Sequence, residues 1–277
     1  VAFWMSFFYI LGSALFVIGA GASISRDVAM SEWQTRREVD LPYFIGAVLF
    51  QIANFLACVV PLNEDLPLRR YLWEHSRTGG RAVGKGQQTA PPTTRWLGVS
   101  SRLTYIGGML YFVGGAAYLV MTFSPMVVWS ADIRFSFIAE TLCVDAMAVV
   151  GGAGFAAGAY CYCLDYARAV AEEDPQAPEA AGPCLWACAG FAPLAGWHEL
   201  RDLGFWVNAC NWWGSIGFCL SGAFYCLEPG TVGFVVTQVE TLLGYFLGSA
   251  LFLVASILLM VVRHQHLSLS LCLSLSL

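Results

Sequence analysis

The chain has 277 residues, of which 58% are hydrophobic and only 12% charged, about half the charge of an ordinary soluble domain. Its mean hydropathy is +0.64, and six apolar runs of about 20 residues, each long enough to cross a hydrocarbon core as a helix, exclude a soluble domain with one small core. The formal net charge is −5, a total that hides where the basic residues lie; no nucleic acid is among the expected partners.

The first run, 3–24, is too long for a secretory leader and has neither a basic flank nor a cleavage site, so it reads as a membrane span. With the second run, 41–62, it forms a predicted hairpin over 1–62. A basic loop follows at 63–102. It holds seven of the fourteen Lys and Arg residues: Arg69, Arg70, Arg77, Arg81, Lys85, Arg95 and Arg102. Its arginines suit contact with anionic lipid headgroups, each worth about 1 kcal/mol near the surface. Within it "GGRAVGKG" (79–86) approaches a phosphate-binding loop, but Gly86 stands where a hydroxyl should meet Mg²⁺. No strand precedes it and no helix start follows, so a flexible basic loop is the better reading.

Runs at 103–123 and 136–163 form a second predicted hairpin over 103–165, and runs at 204–227 and 238–262 a third over 204–262. The loop between them, 166–203, contains Cys184, Cys188 and His198, a spacing at the edge of zinc use with no fourth ligand nearby. Its Trp186 and Trp197 suit an interfacial helix. The tail, 263–277, ends in alternating Leu and Ser, which is low complexity and is left outside the fold. Cys161-Tyr162-Cys163 fits either a palmitoylation site or apolar filler. With six spans, ten basic residues fall on the side of both termini and the long loops, against four (Arg26, Arg36, Arg37, Arg134) on the other. The positive-inside rule puts the termini on the cytosolic side.

One word recurs in every run. "LGSALF" appears at Gly12 and again at Gly248, with related words at Gly46, Gly107, Gly151 and Gly214. Four residues later stands an aromatic: Phe16, Phe50, Tyr111, Phe155, Phe218 and Phe252. Seven residues later stands a small residue: Gly19, Ala53, Gly114, Gly158, Ser221 and Ala255. Positions 0, +4 and +7 share a helix face. Lipid supplies no hydrophobic push between helices, so such a face of two notches and a ring serves close helix packing. Motif glycines lie 34, 44 and 34 residues apart within the three pairs. The fold expected is therefore all-α, a polytopic membrane protein of six transmembrane helices in three repeated antiparallel hairpins, compatible with pseudo-threefold symmetry.

Each hairpin resembles the YrhK-like domain, a two-helix membrane module with glycine–aromatic helices of the "FxxGSxLF" type. The resemblance implies a membrane-embedded module and assigns no catalytic residue. Mitochondrial carriers also have three two-span repeats, but no Pro-x-Asp/Glu-x-x-Lys/Arg signature follows the odd spans here.

Polar residues inside spans are the candidates for function. Gln51 and Asn54, three apart in the second run, and Asn208 and Asn211 in the fifth could form a polar path with Asp145. Asp145 reads two ways: as a cation or proton site, or as an acid at a helix start, since the same column holds Asp40 and Ser101 near the surface. Interhelical hydrogen bonds account for Gln51 and Asn54 without a substrate. All four histidines lie outside the runs and no lysine lies within one. No catalytic set, metal site or cofactor is therefore expected. The leading reading is a non-enzymatic membrane protein whose helices serve packing, as a homo-oligomer or with a membrane partner. The alternative is a small-solute or ion transporter or channel.

Overall fold

The computed structural model describes residues 1–24, 31–63, 103–131, 136–173, 202–225 and 240–275. All regular structure among them is helical. Helix α1 is Ala2–Ile24. Helix α2 starts at Glu32–Thr35, passes through a π segment at Arg36–Asp40 and continues as Leu41–Asn63. Helix α3 is Leu103–Ala131. Helix α4 starts at Phe137–Glu140, has a π segment at Thr141–Asp145 and continues as Ala146–Glu173. Helix α5 is Leu203–Tyr225. Helix α6 opens with a π segment, Glu240–Leu247, and continues as Gly248–Leu275.

Local chemistry sets three of the starts. Ser31 and Gln34 form a capping box: the Gln34 N–H donates to Ser31 Oγ at 3.3 Å and the Ser31 N–H to Gln34 Oε1 at 2.9 Å. Ser136 Oγ accepts the Ala139 N–H at 3.3 Å. Asp202 Oδ1 accepts the Gly204 N–H at 2.9 Å, and its other oxygen takes the Tyr166 hydroxyl of α4. Each cap satisfies a backbone donor that the first turn leaves without a helical partner.

The π segments of α2 and α4 have the same offset from a glycine of the recurring word, ten to six residues before Gly46 and Gly151. In each, the following N–H reaches five residues back, from Leu41 to Arg36 and from Ala146 to Thr141. The extra residue rotates everything upstream relative to the membrane-length part of the helix.

Helices α1, α2, α3, α4 and α6 each contain a stretch long and apolar enough to cross a membrane. Helix α5 has comparable length, but Asn208, Asn211 and three tryptophans lower its hydropathy. Each helix packs on the one before it, and α6 also packs on α1, so the six close into a ring. The repeated word dictates which side faces where. All eighteen motif residues at 0, +4 and +7 are buried. The residue before each motif glycine is large, apolar and exposed: Leu11, Ile45, Ile106, Val150, Trp213 and Leu247.

Three expectations need correction. The helices overrun their apolar runs: α3 continues past 123 to Ala131 and α4 past 163 to Glu173, so the loop expected at 166–203 starts later. The tail set aside as low complexity is helical through Leu275, because adding a residue to a formed helix is cheap and Leu and Ser do not break one. Asp145 is not at a helix start; it lies nine residues into the continuous α4, closing its π segment. The basic loop with its "GGRAVGKG", the stretch holding Cys184, Cys188 and His198, and Trp186 and Trp197 lie outside the described residues.

Candidate functional site

The site grows out of how glycines let the helices touch. In the α1–α2 pair, a Cβ on Gly12 would stand 3.1 Å from the Gly46 carbonyl oxygen, and one on Gly46 3.1 Å from that of Gly12. Gly214 and Gly248 repeat this in the α5–α6 pair, at 2.9 and 3.1 Å. The α3–α4 pair is different. Gly107 meets Gly158, and Gly114 meets Gly151, so position 0 faces position +7. This pair is slid by seven residues, two helical turns, relative to the others.

A second column of residues, adjacent to the first and mostly small, includes contacts of α3 with α2 and of α4 with α5. At +1 and +8 stand Ser13 and Ala20, Ala47 and Asn54, Gly108 and Gly115, Gly152 and Ala159, Ser215 and Gly222, and Ser249 and Ser256, all buried. Gly108 lies against the Ala57 backbone of α2, and Gly152 and Gly222 against the backbones of Cys219 and Ala148. The repeated word thus carries two seams. Its Gly-Gly and Gly-Ser doublets were the sequence signal for the second.

With both seams closed, the six motif rings converge on the ring axis as one cluster. Phe16 meets Phe50 (5.5 Å between centroids) and Phe218 (6.0 Å). Phe252 meets Phe50 and Phe218 at 5.7 Å and Phe155 at 6.0 Å, and Tyr111 meets Phe155 at 5.4 Å. Several pairs are edge-to-face, the arrangement that places a positive ring edge on a negative face. A void of about 10 Å³ remains among Phe16, Phe50, Phe155 and Phe218. It is at the lower limit for one water, and the rings offer no partners to hold one.

Cavities approach this plug from both ends of the bundle. At the end where α1 begins, a cavity of about 280 Å³ is walled by all six helices and reaches Tyr111 and Phe252 of the cluster. At the opposite end, one of about 240 Å³ reaches Phe16 and is lined by Asp40, Tyr43, Tyr118 and Tyr245 among others. Each contains a helix proline, Pro61 or Pro125, together with the residue four before it, Ala57 or Met121. Those two carbonyls cannot receive the usual helical N–H.

The candidate polar path divides. Asn208 and Asn211 line the larger cavity. Asn208 Nδ2 donates to the Gly204 carbonyl at 2.9 Å. Asn54 is fully buried behind the wall, where Tyr9, itself a lining residue, donates its hydroxyl to Asn54 Oδ1 at 2.7 Å. Gln51 lies in the α2–α3 seam and donates to the Phe112 carbonyl at 3.3 Å. Both amides rest on Gly115, where a Cβ would fall 2.2 Å from Asn54 Nδ2 and 2.4 Å from Gln51 Oε1. Asp145 lines neither cavity, although its neighbour Val144 lines the smaller one. The five residues therefore do not form one path: two line the cavity, one backs it, one sits in a seam and one stands apart.

The sequence alone did not single out Tyr9, Tyr162 or Tyr111's hydroxyl. Tyr162 lines the larger cavity and packs on Tyr111 at 5.4 Å. Cys163 beside it points its thiol at the Asn208 carbonyl, 3.9 Å away. Among the described residues no group of three His, Cys, Asp or Glu side chains could hold a metal ion. No family model matches the chain, nor does any curated protein or solved structure.

Proposed function

We propose that this chain is a six-span integral membrane protein without catalytic chemistry, whose repeated helix face builds its own bundle. The observation that carries this reading is the convergence of all six motif rings on one buried cluster. That face is used inside the chain and leaves no copy free for a partner. Helix α5 counts as the sixth span because Trp213 and Leu220 are exposed where the other helices present Leu11 and Ile18 or Leu247 and Val254. The likeness of each pair to the YrhK-like module fits the same reading.

A second reading is favoured by the two opposed cavities: a path for a small solute, closed in this state by the aromatic plug. Liposomes carrying the purified chain separate the two. Under the packing reading neither the wild-type chain nor Phe218→Ala speeds entry of glycerol or urea over empty vesicles. Flux in the wild type that rises further in Phe218→Ala would replace it with the path. Crosslinking in native membranes tests the self-contained bundle; oligomers joined through the motif face would overturn it.

A further inference from the structure

We infer that the smaller cavity, at the end of the bundle where α1 finishes, is a binding site for a small organic ammonium ion. The π segments of α2, α4 and α6 all reach it: Val39 and Asp40 belong to the first, Val144 to the second and Tyr245 to the third. A π turn re-aims the side chains beside it, and such turns recur at functional sites. Asp40 is the only charged residue among the described residues that line this cavity. It is half-buried, and a carboxylate drawn partly out of water favours a cation beside it.

The rest of the wall says which cation. Phe16, Tyr43, Tyr118 and Tyr245 line the same cavity, and Tyr43 packs on Phe16 and Tyr245 at 5.5 and 5.8 Å. Aromatic rings attract ammonium groups, and several of them beside one carboxylate suit an alkylated ammonium ion. The Tyr118 hydroxyl donates to the Phe218 carbonyl at 3.2 Å and that of Tyr245 to the Met121 sulfur at 3.9 Å. Their protons are engaged within the bundle, which leaves their rings for a ligand. On the same wall Pro125 deprives the Met121 carbonyl of its helical N–H, and a carbonyl oxygen is a further negative end for a cation. A divalent metal ion needs several hard oxygen ligands, which one carboxylate among aromatic rings does not provide.

The test uses the full chain in uncharged maltoside micelles and calorimetric titration with choline and with 3,3-dimethyl-1-butanol, its uncharged isostere. The expected result is saturable choline binding, with the alcohol at least about tenfold weaker because it lacks the charge. Asp40→Asn, which keeps the shape and removes the charge, should weaken choline about tenfold and leave the alcohol unchanged. Tyr245→Leu should weaken choline about threefold, the worth of one cation–π contact, whereas Tyr245→Phe keeps the ring and binds as the wild type does. Circular dichroism checks that each variant retains its helices. Glycerophosphocholine separates the two sources of such a group. Affinity equal to that of choline assigns the site to a lipid headgroup, weaker binding assigns it to a free ammonium compound, and either result supports the ammonium class. Absence of saturable choline binding, or equal binding of the alcohol, overturns the site. Unchanged choline affinity in Asp40→Asn overturns the role of the carboxylate, and unchanged affinity in Tyr245→Leu overturns that of the rings.

Discussion

Gly152 of α4 and Cys219 of α5 meet backbone to backbone: a methyl group on Gly152 would stand 2.6 Å from the Cys219 Cα. Gly222 answers from α5, where the same methyl would lie 2.5 Å from the Ala148 carbonyl oxygen. Main chain cannot swing aside as a side-chain tip can, so the helices must separate. Gly152→Ala and Gly222→Ala should each lower stability by about 1–3 kcal/mol, the usual range for overpacking. Gly21→Ala is the control, since its nearest neighbour is Phe246 at 3.8 Å; it should be neutral or slightly stabilising. Unfolding in mixed micelles followed by tryptophan fluorescence ranks the three.

The Tyr9–Asn54 hydrogen bond ties α1 to α2 at 2.7 Å in a fully buried setting. Tyr9→Phe should cost about 1 kcal/mol, within the range measured for polar contacts between membrane helices. In a double-mutant cycle with Asn54→Leu, the pair should show a coupling energy of similar size. Additive single effects would mean that the contact contributes nothing.

Asp202 caps α5 and holds Tyr166 of α4. Asp202→Ala should destabilise the chain by about 1 kcal/mol through loss of the cap. Tyr166→Phe keeps the Gly204 contact and should cost less. The reverse order, read from thermal unfolding in detergent, would show that the cap is unimportant.

Whether α5 crosses the bilayer can be read from glycosylation. With six spans and the basic loop in the cytosol, an Asn-x-Ser acceptor inserted at position 30 or 231 is modified in endoplasmic-reticulum membranes, whereas one at position 90 is not. An unmodified acceptor at 231 beside a modified one at 30 would remove the fifth crossing.

The helices and their inward face were legible because the glycine–aromatic spacing is a property of one helix at a time. The outward column of Leu11, Ile45 and Trp213 follows from the same periodicity. The second seam was written in the doublets Gly107-Gly108, Gly114-Gly115 and Gly151-Gly152. It stayed hidden because only positions 0, +4 and +7 enter the aligned face, whereas position +1 lies about 100° further around the axis and serves a different partner. The slide of α3 against α4 was not legible, since a face with two notches a pair of turns apart fits its partner in more than one register. Nor were the π segments, for they alter the hydrogen-bond step without a marker in composition. Asp145 looked like a start because Asp40 shares its column; both instead close a π segment inside a longer helix.

The packing of α1 against α6 joins the first of the six described helices to the sixth. Phe50 and Phe218 wait for Phe252, which touches both at 5.7 Å and is itself 2% exposed in the finished bundle. Without α6 the other five helices would be an open crescent whose aromatic side lacks that cover. A ribosome stalled before Gly248 would leave that crescent in the bilayer, a ready target for membrane quality control.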